Sequence, residues 1–201
     1  MAALTPSASR RTERGYVLLL TLITLVVLLF GVLFTMRGNL LQSVMTGNTV
    51  QRQKDVQASD LALRQVQQAI IQTASGAGDV PLEIAASGAP WFYIPPNTGN
   101  PWTPPGSSSA PTYWQNCQTA KTCDTLSHVA AVITPAVPAL PSGYTTLVTV
   151  VPTNAPVDTY SCGNTGFTAT YYDIFLHTQE ANATTAINTE TVFKLCTPTT
   201  T

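Results

Sequence analysis

The sequence predicts an α+β fold in which a long N-terminal helix, part membrane span and part amphipathic, packs on a C-terminal antiparallel β-sheet. Three observations predict it. An uncharged apolar stretch, Tyr16 to Met36, leads into a segment whose apolar residues recur at helical spacing. A Pro- and aromatic-rich region follows, and then four segments rich in β-branched and aromatic residues. All four cysteines, Cys117, Cys123, Cys162 and Cys196, lie in the second half.

The apolar stretch comes first. About 20 apolar residues cross a bilayer as a helix, and Tyr16 to Met36 meets that length. It exceeds the apolar core of roughly 7–15 residues of a secretory signal, and Met36-Arg37-Gly38-Asn39 is no small-residue cleavage site. "SRR" (Ser9 to Arg11) continues as "TERG", without the apolar run of a twin-arginine signal. Arg10, Arg11 and Arg14 precede the stretch and Arg37 follows it, which places the N-terminus in the cytoplasm and the rest outside.

The helical pattern continues past the span. Val56, Leu63, Val66 and Ile70 mark an apolar face, with Gln51, Arg52, Lys54, Asp55, Asp60 and Gln67 between them. Gly38 and Gly47 make the junction easy to bend, each costing about 1 kcal/mol against Ala in a helix interior. "ASGAG" (Ala74 to Gly78) stops the helix after about 55–60 residues. The expected segments are a leader over 1–15, a span over 16–37, an amphipathic continuation over 38–75, a Pro- and aromatic-rich loop region over 76–127, and a sheet domain over 128–201.

Gly88 to Pro111 holds seven prolines and reads as a loop with polyproline character. Trp91, Trp102 and Trp114 are set in or beside it. Two readings stand open: these aromatics fold back over the core, or they form an exposed partner-binding surface. Strands are expected at His128–Pro135, Tyr144–Val151, Phe167–His177 and Asn188–Cys196, with the last hairpin turning at Glu180–Thr185. Four cysteines behind an export-type segment predict two disulfides in an oxidising compartment. Zinc would want tighter C-x2-4-C pairs than the spacing of Cys117 and Cys123. Three pairings are possible; proximity favours Cys117–Cys123, which leaves Cys162–Cys196.

Charge and motifs narrow the function classes. The net charge is −1, and beyond residue 75 only Lys121 and Lys194 face seven carboxylates. A phosphate-binding surface needs clustered Lys and Arg, so no nucleic-acid partner is expected. The sequence lacks a nucleophile elbow, a phosphate loop, H-E-x-x-H and a calcium loop. His177, without a paired nucleophile, reads as a surface or packing residue. No catalytic residue, cofactor or metal is expected.

One further pattern joins these readings. In "RTERGYVLLLTLITLVVLLF", Gly15 stands after a short basic leader and before an aromatic residue and an apolar run. This resembles the class III signal of type IV pilins. The resemblance implies cleavage after Gly15 by a prepilin peptidase and N-methylation of Tyr16. It also implies a helix that is first a membrane anchor and later part of a filament core, so the expected fold is pilin-like. Arg37, "MTGN" (Met45 to Asn48) and "ASDLALRQV" (Ala58 to Val66) are similar to the N-terminal module of minor pilins of the PilX type, which commonly carry "GN" and then A-x-x-A-A-E-x-A-L. This chain departs with Ser59-Asp60-Leu61-Ala62. "YYDIFLHTQEANATTAINTETVFKL" (Tyr171 to Leu195) resembles that family's closing strand pair. The likeness covers roughly 10–75 and 167–196.

Pilins normally carry Glu at the fifth mature position, where this chain has Leu20. The resemblance implies a non-enzymatic minor pilin acting in a priming or tip complex and supporting adhesion or aggregation. Its expected partners are other minor pilins, the major pilin and the prepilin peptidase. Its expected place is the inner membrane with the C-terminal domain in the periplasm, and then the pilus. Two alternatives remain: a single-pass anchored periplasmic binding protein, and a minor pseudopilin of type II secretion.

Overall fold

The computed structural model describes residues 13–96, 103–105, 112–134, 137–153, 155–181 and 186–199. Helix α1 runs Glu13–Gly76, 64 residues. The chain divides into two units, Met1–Gln51 and Arg52–Thr201, and α1 contributes to both.

In the first unit α1 has no core to join. Every residue from Gly15 to Arg37 is exposed, although the stretch is almost wholly apolar. Its three threonines hide their polarity within the helix. Thr21 Oγ1 donates to Leu18 O, Thr24 Oγ1 to Thr21 O and Thr35 Oγ1 to Val32 O, each at 2.9 Å. A hydroxyl with no partner costs about 1–3 kcal/mol in apolar surroundings. With these bonds in place the stretch suits apolar surroundings along its whole length, and α1 is long and apolar enough to cross a membrane.

In the second unit the buried face of α1 is Ala58, Ser59, Ala62, Gln65, Val66, Ala69, Ile70 and Ala74, which is helical spacing. The sequence places the face on Val56, Leu63, Val66 and Ile70. Val66 and Ile70 are fully buried, but Val56 is 43% exposed and Leu63 only half-buried. The correction has a packing reason. Four alanines and a serine bring the helix backbone close to the sheet, and Ser59 Oγ meets Thr189 Oγ1 at 2.6 Å. Past Gly76 the chain turns sharply: Gly78 and Asp79 adopt φ of 85° and 58°, and the Asp79 N–H donates back to Ala74 O at 2.9 Å.

Short elements follow: α2 Leu82–Ala85, α3 Tyr113–Asn116, the two-residue strand β1 Asp124–Thr125 and α4 Leu126–Ala130. The expected strand over His128–Pro135 does not form in its described part, 128–134. Its β-branched composition suggested a strand, but Leu126, Val129 and Ile133 bury themselves at helical spacing of three and four. The longer strands are β2 Tyr144–Pro152, β3 Phe167–Glu180 and β4 Ala186–Pro198. The sheet is open and antiparallel, in the order β1-β2-β3-β4. Strands β3 and β4 end on either side of the expected hairpin turn.

Side chains alternate across the sheet. Val148, Val150, Tyr172, Ile174, Leu176 and Leu195 face α1 and join its buried residues in one core. Thr149, Val151 and Phe175, also buried, point to the other face, where the Pro- and aromatic-rich segment returns. Pro105 and Trp114 line a hollow over Phe175, and Tyr113 Oη lies 3.0 Å from Thr149 Oγ1.

Candidate functional site

Gly15 and Tyr16, the expected processing junction, lie within α1. A side chain built at Gly15 would meet no atom within 4 Å, and Tyr16 is 68% exposed. Leu20 stands one helical turn on, on the face Tyr16 occupies, and is half exposed.

All four cysteines are bridged. Cys117–Cys123 closes the turn after α3, with Cα atoms 5.2 Å apart. Cys162–Cys196 joins the loop before β3 to β4, with Cα atoms 5.8 Å apart across 34 residues of sequence. Lys194 Nζ donates to Ser161 O at 2.8 Å and Tyr171 Oη to Ser161 Oγ at 3.2 Å, so Ser161, next to the bridge, is tied to both β3 and β4. Among the described residues, no three His, Cys, Asp or Glu side chains gather where a metal ion would sit.

Trp91 and Trp114 do not share one surface. Trp91 is 5% exposed and packs edge-on against Phe92, and its carbonyl accepts the Val150 N–H at 2.8 Å. It is a core residue on the helix side of the sheet, so of the two readings left open it follows the one that folds back over the core. Trp114 is half-buried on the opposite face. Trp102 lies outside the described residues.

Trp114 has a setting the sequence did not reveal. Its ring stacks on His177, centroids 5.2 Å apart and planes 20° from parallel. His177 Nδ1 lies 2.7 Å from Asn188 Oδ1. An amide oxygen only accepts, so Nδ1 is the donor in this pair. His177 and Asn188 are cross-strand neighbours in the β3–β4 register. That pairing is set by the hairpin turn, the one signal from which it was readable. The Trp114 contact crosses more than 60 residues and leaves no trace in local pattern.

Three groups are pushed off their ordinary titration ranges. Burial raises the Tyr113 phenol, against bonds to Thr122 and Thr149 that pull it down. Burial also raises Tyr172 strongly, helped by Glu83 beside it. Asp173, on β3 between Val151 and Val192, is raised by burial.

Compared with protein-family models, curated proteins and solved structures, the chain gives no match. What the geometry shows is an architecture: a long N-terminal helix packed on a C-terminal antiparallel sheet, the general arrangement of type IV pilin-like folds.

Proposed function

We propose that the chain is a non-enzymatic minor pilin that takes part in type IV pilus assembly within a priming or tip complex. One observation carries the reading. A single helix bears an uncovered apolar stretch directly after Gly15-Tyr16, and further along the same helix supplies the core of a disulfide-bonded sheet domain. A plain anchor needs only the first of these. A helix that leaves the bilayer to pack among copies of itself needs both, and an exported domain gains from the bridges.

On this reading prepilin peptidase cleaves after Gly15 and Tyr16 becomes the N-methylated terminus. The domain waits in the periplasm with its helix in the inner membrane, and then enters the pilus with other minor pilins and the major pilin. Leu20 sets its position. In a filament core the terminal amine of each subunit is buried, and a buried charge is costly unless paired. Leu20 brings no carboxylate for a neighbour's amine. A subunit at an end has one fewer neighbour to satisfy, so few copies are expected, seated at the tip or in the priming complex. Immunogold labelling of pili on the native cell tests this. Label at pilus ends and bases is expected. Regular label along the shaft contradicts the end position, and pili without label contradict the pilin reading.

A further inference from the structure

A groove of about 1020 Å³ lies beside β2, with Gln115 and Gln118 on either side of the bridged Cys117 among its lining. Tyr144, Thr145, Thr146 and Leu147 all line it. Consecutive strand residues point to opposite faces, so the groove runs along the strand's edge. It begins where β1 ends, at the Thr125–Leu147 pair. It therefore gathers side chains from both faces of the sheet: Gln65 from α1 on one side, Trp114 and His177 on the other.

The lining is polar without being charged. It contains no Asp, Glu, Lys or Arg, so it offers nothing to neutralise a phosphate, sulfate, carboxylate or amine. It is not a purely apolar slot either. Carboxamides come from Gln65, Gln115, Gln118, Gln179 and Asn188, and hydroxyls from the β2 threonines. Each carboxamide and hydroxyl is donor and acceptor at once, which is the hydrogen-bonding character of a sugar hydroxyl.

Two of these polar groups are already held in place. Gln65 Nε2 donates to Pro138 O at 2.6 Å. The bond from His177 to Asn188 leaves the amide N–H groups of Asn188 as donors beside the His177 ring, a polar edge that a sugar hydroxyl fits. The stacked Trp114–His177 rings supply a flat aromatic wall against which the C–H face of a pyranose packs. A concave site with an aromatic wall and a few fixed polar groups is the usual form of a small-ligand site.

We propose that this groove binds a neutral oligosaccharide, with Trp114 and His177 as its wall and Asn188 and Gln118 among its hydrogen-bonding groups. The inference does not depend on the pilin reading. The test uses the full chain in detergent micelles on a printed array of neutral, sialylated and sulfated oligosaccharides, with titration of each hit followed by tryptophan fluorescence. Neutral glycans are expected to bind and to perturb the emission. Asn188→Ala and Gln118→Ala, both at exposed positions, are each expected to weaken binding about three- to tenfold with an unchanged melting temperature. Three results would overturn the proposal: an array with no neutral hit, a preference for sialylated or sulfated glycans, or affinity unchanged in both variants. Capture of extended Gln- and Ser-rich peptides without any neutral sugar would also overturn it, and would mark the β2 edge as a peptide groove.

Discussion

Tyr172 on β3 donates its hydroxyl proton to Glu83 Oε2 at 2.8 Å and accepts the backbone N–H of Leu82 at 3.3 Å. Both partners belong to α2, so one phenol at the centre of the core fixes the turn of chain that leaves α1. Tyr172→Phe keeps the ring and removes both bonds. The Leu82 N–H, buried with its residue, then has no acceptor. A loss of about 1–3 kcal/mol is expected, read as a lower denaturant midpoint at unchanged slope. An unchanged midpoint would show that the pair contributes nothing.

Asp173 should work against stability at neutral pH. Burial raises its pKa above the ordinary carboxylate value of about 3.8. The native state therefore holds more protons than the unfolded chain as pH rises from near 3.8 through the raised value. Stability falls across that window and stays lowered above it. Asp173→Asn removes the ionisation. The variant is expected to melt higher than the parent at pH 7, with the gain shrinking towards pH 3. A gain equal at both pH values would assign the effect to packing rather than charge.

The two bridges should differ in worth. On chain-entropy grounds the loop closed by Cys162–Cys196, 34 residues in separation, restrains the unfolded chain more than the six-residue one closed by Cys117–Cys123. Replacing the first pair by serine is expected to cost roughly 3–4 kcal/mol, and the second about 2–2.5. Equilibrium unfolding of the two double variants measures the order, and a larger loss from the short loop would reverse it.

Trp91 and Trp114 should separate cleanly. Trp91→Ala empties a core site and is expected to cost about 3–5 kcal/mol, with adhesion and pilus number falling together because less folded protein is made. Trp114→Ala, on the half-buried face, is expected to lower adhesion or aggregation while pilus number holds. Counting pili beside an aggregation assay distinguishes the two. A Trp114 variant that loses both would place that residue with the core.

Much of this fold was readable from local pattern, for physical reasons. The long apolar stretch of α1 shows itself by an absence of charge, and the β3–β4 hairpin by β-branched alternation around a polar turn. Pattern misled where composition and spacing disagreed. The stretch at Val129 and Ile133 has strand-like residues at helical intervals, and the intervals decided. On α1, large apolar residues drew attention to Val56 and Leu63, while the packed face is mostly alanine, because close approach to a sheet favours small side chains. The groove beside β2 was not legible. It is made by β1 stopping after two residues and by Trp114 meeting His177, neither of which local sequence specifies.

The central claim is that Gly15-Tyr16 is a processing junction rather than an incidental pair at the start of an anchor. Intact-mass and N-terminal peptide analysis of the protein isolated from its native cell tests it most directly. The account expects a chain that begins at N-methylated Tyr16. A chain that retains Met1 or Ala2 would contradict it, leaving a permanent membrane anchor and a periplasmic domain that never joins a filament.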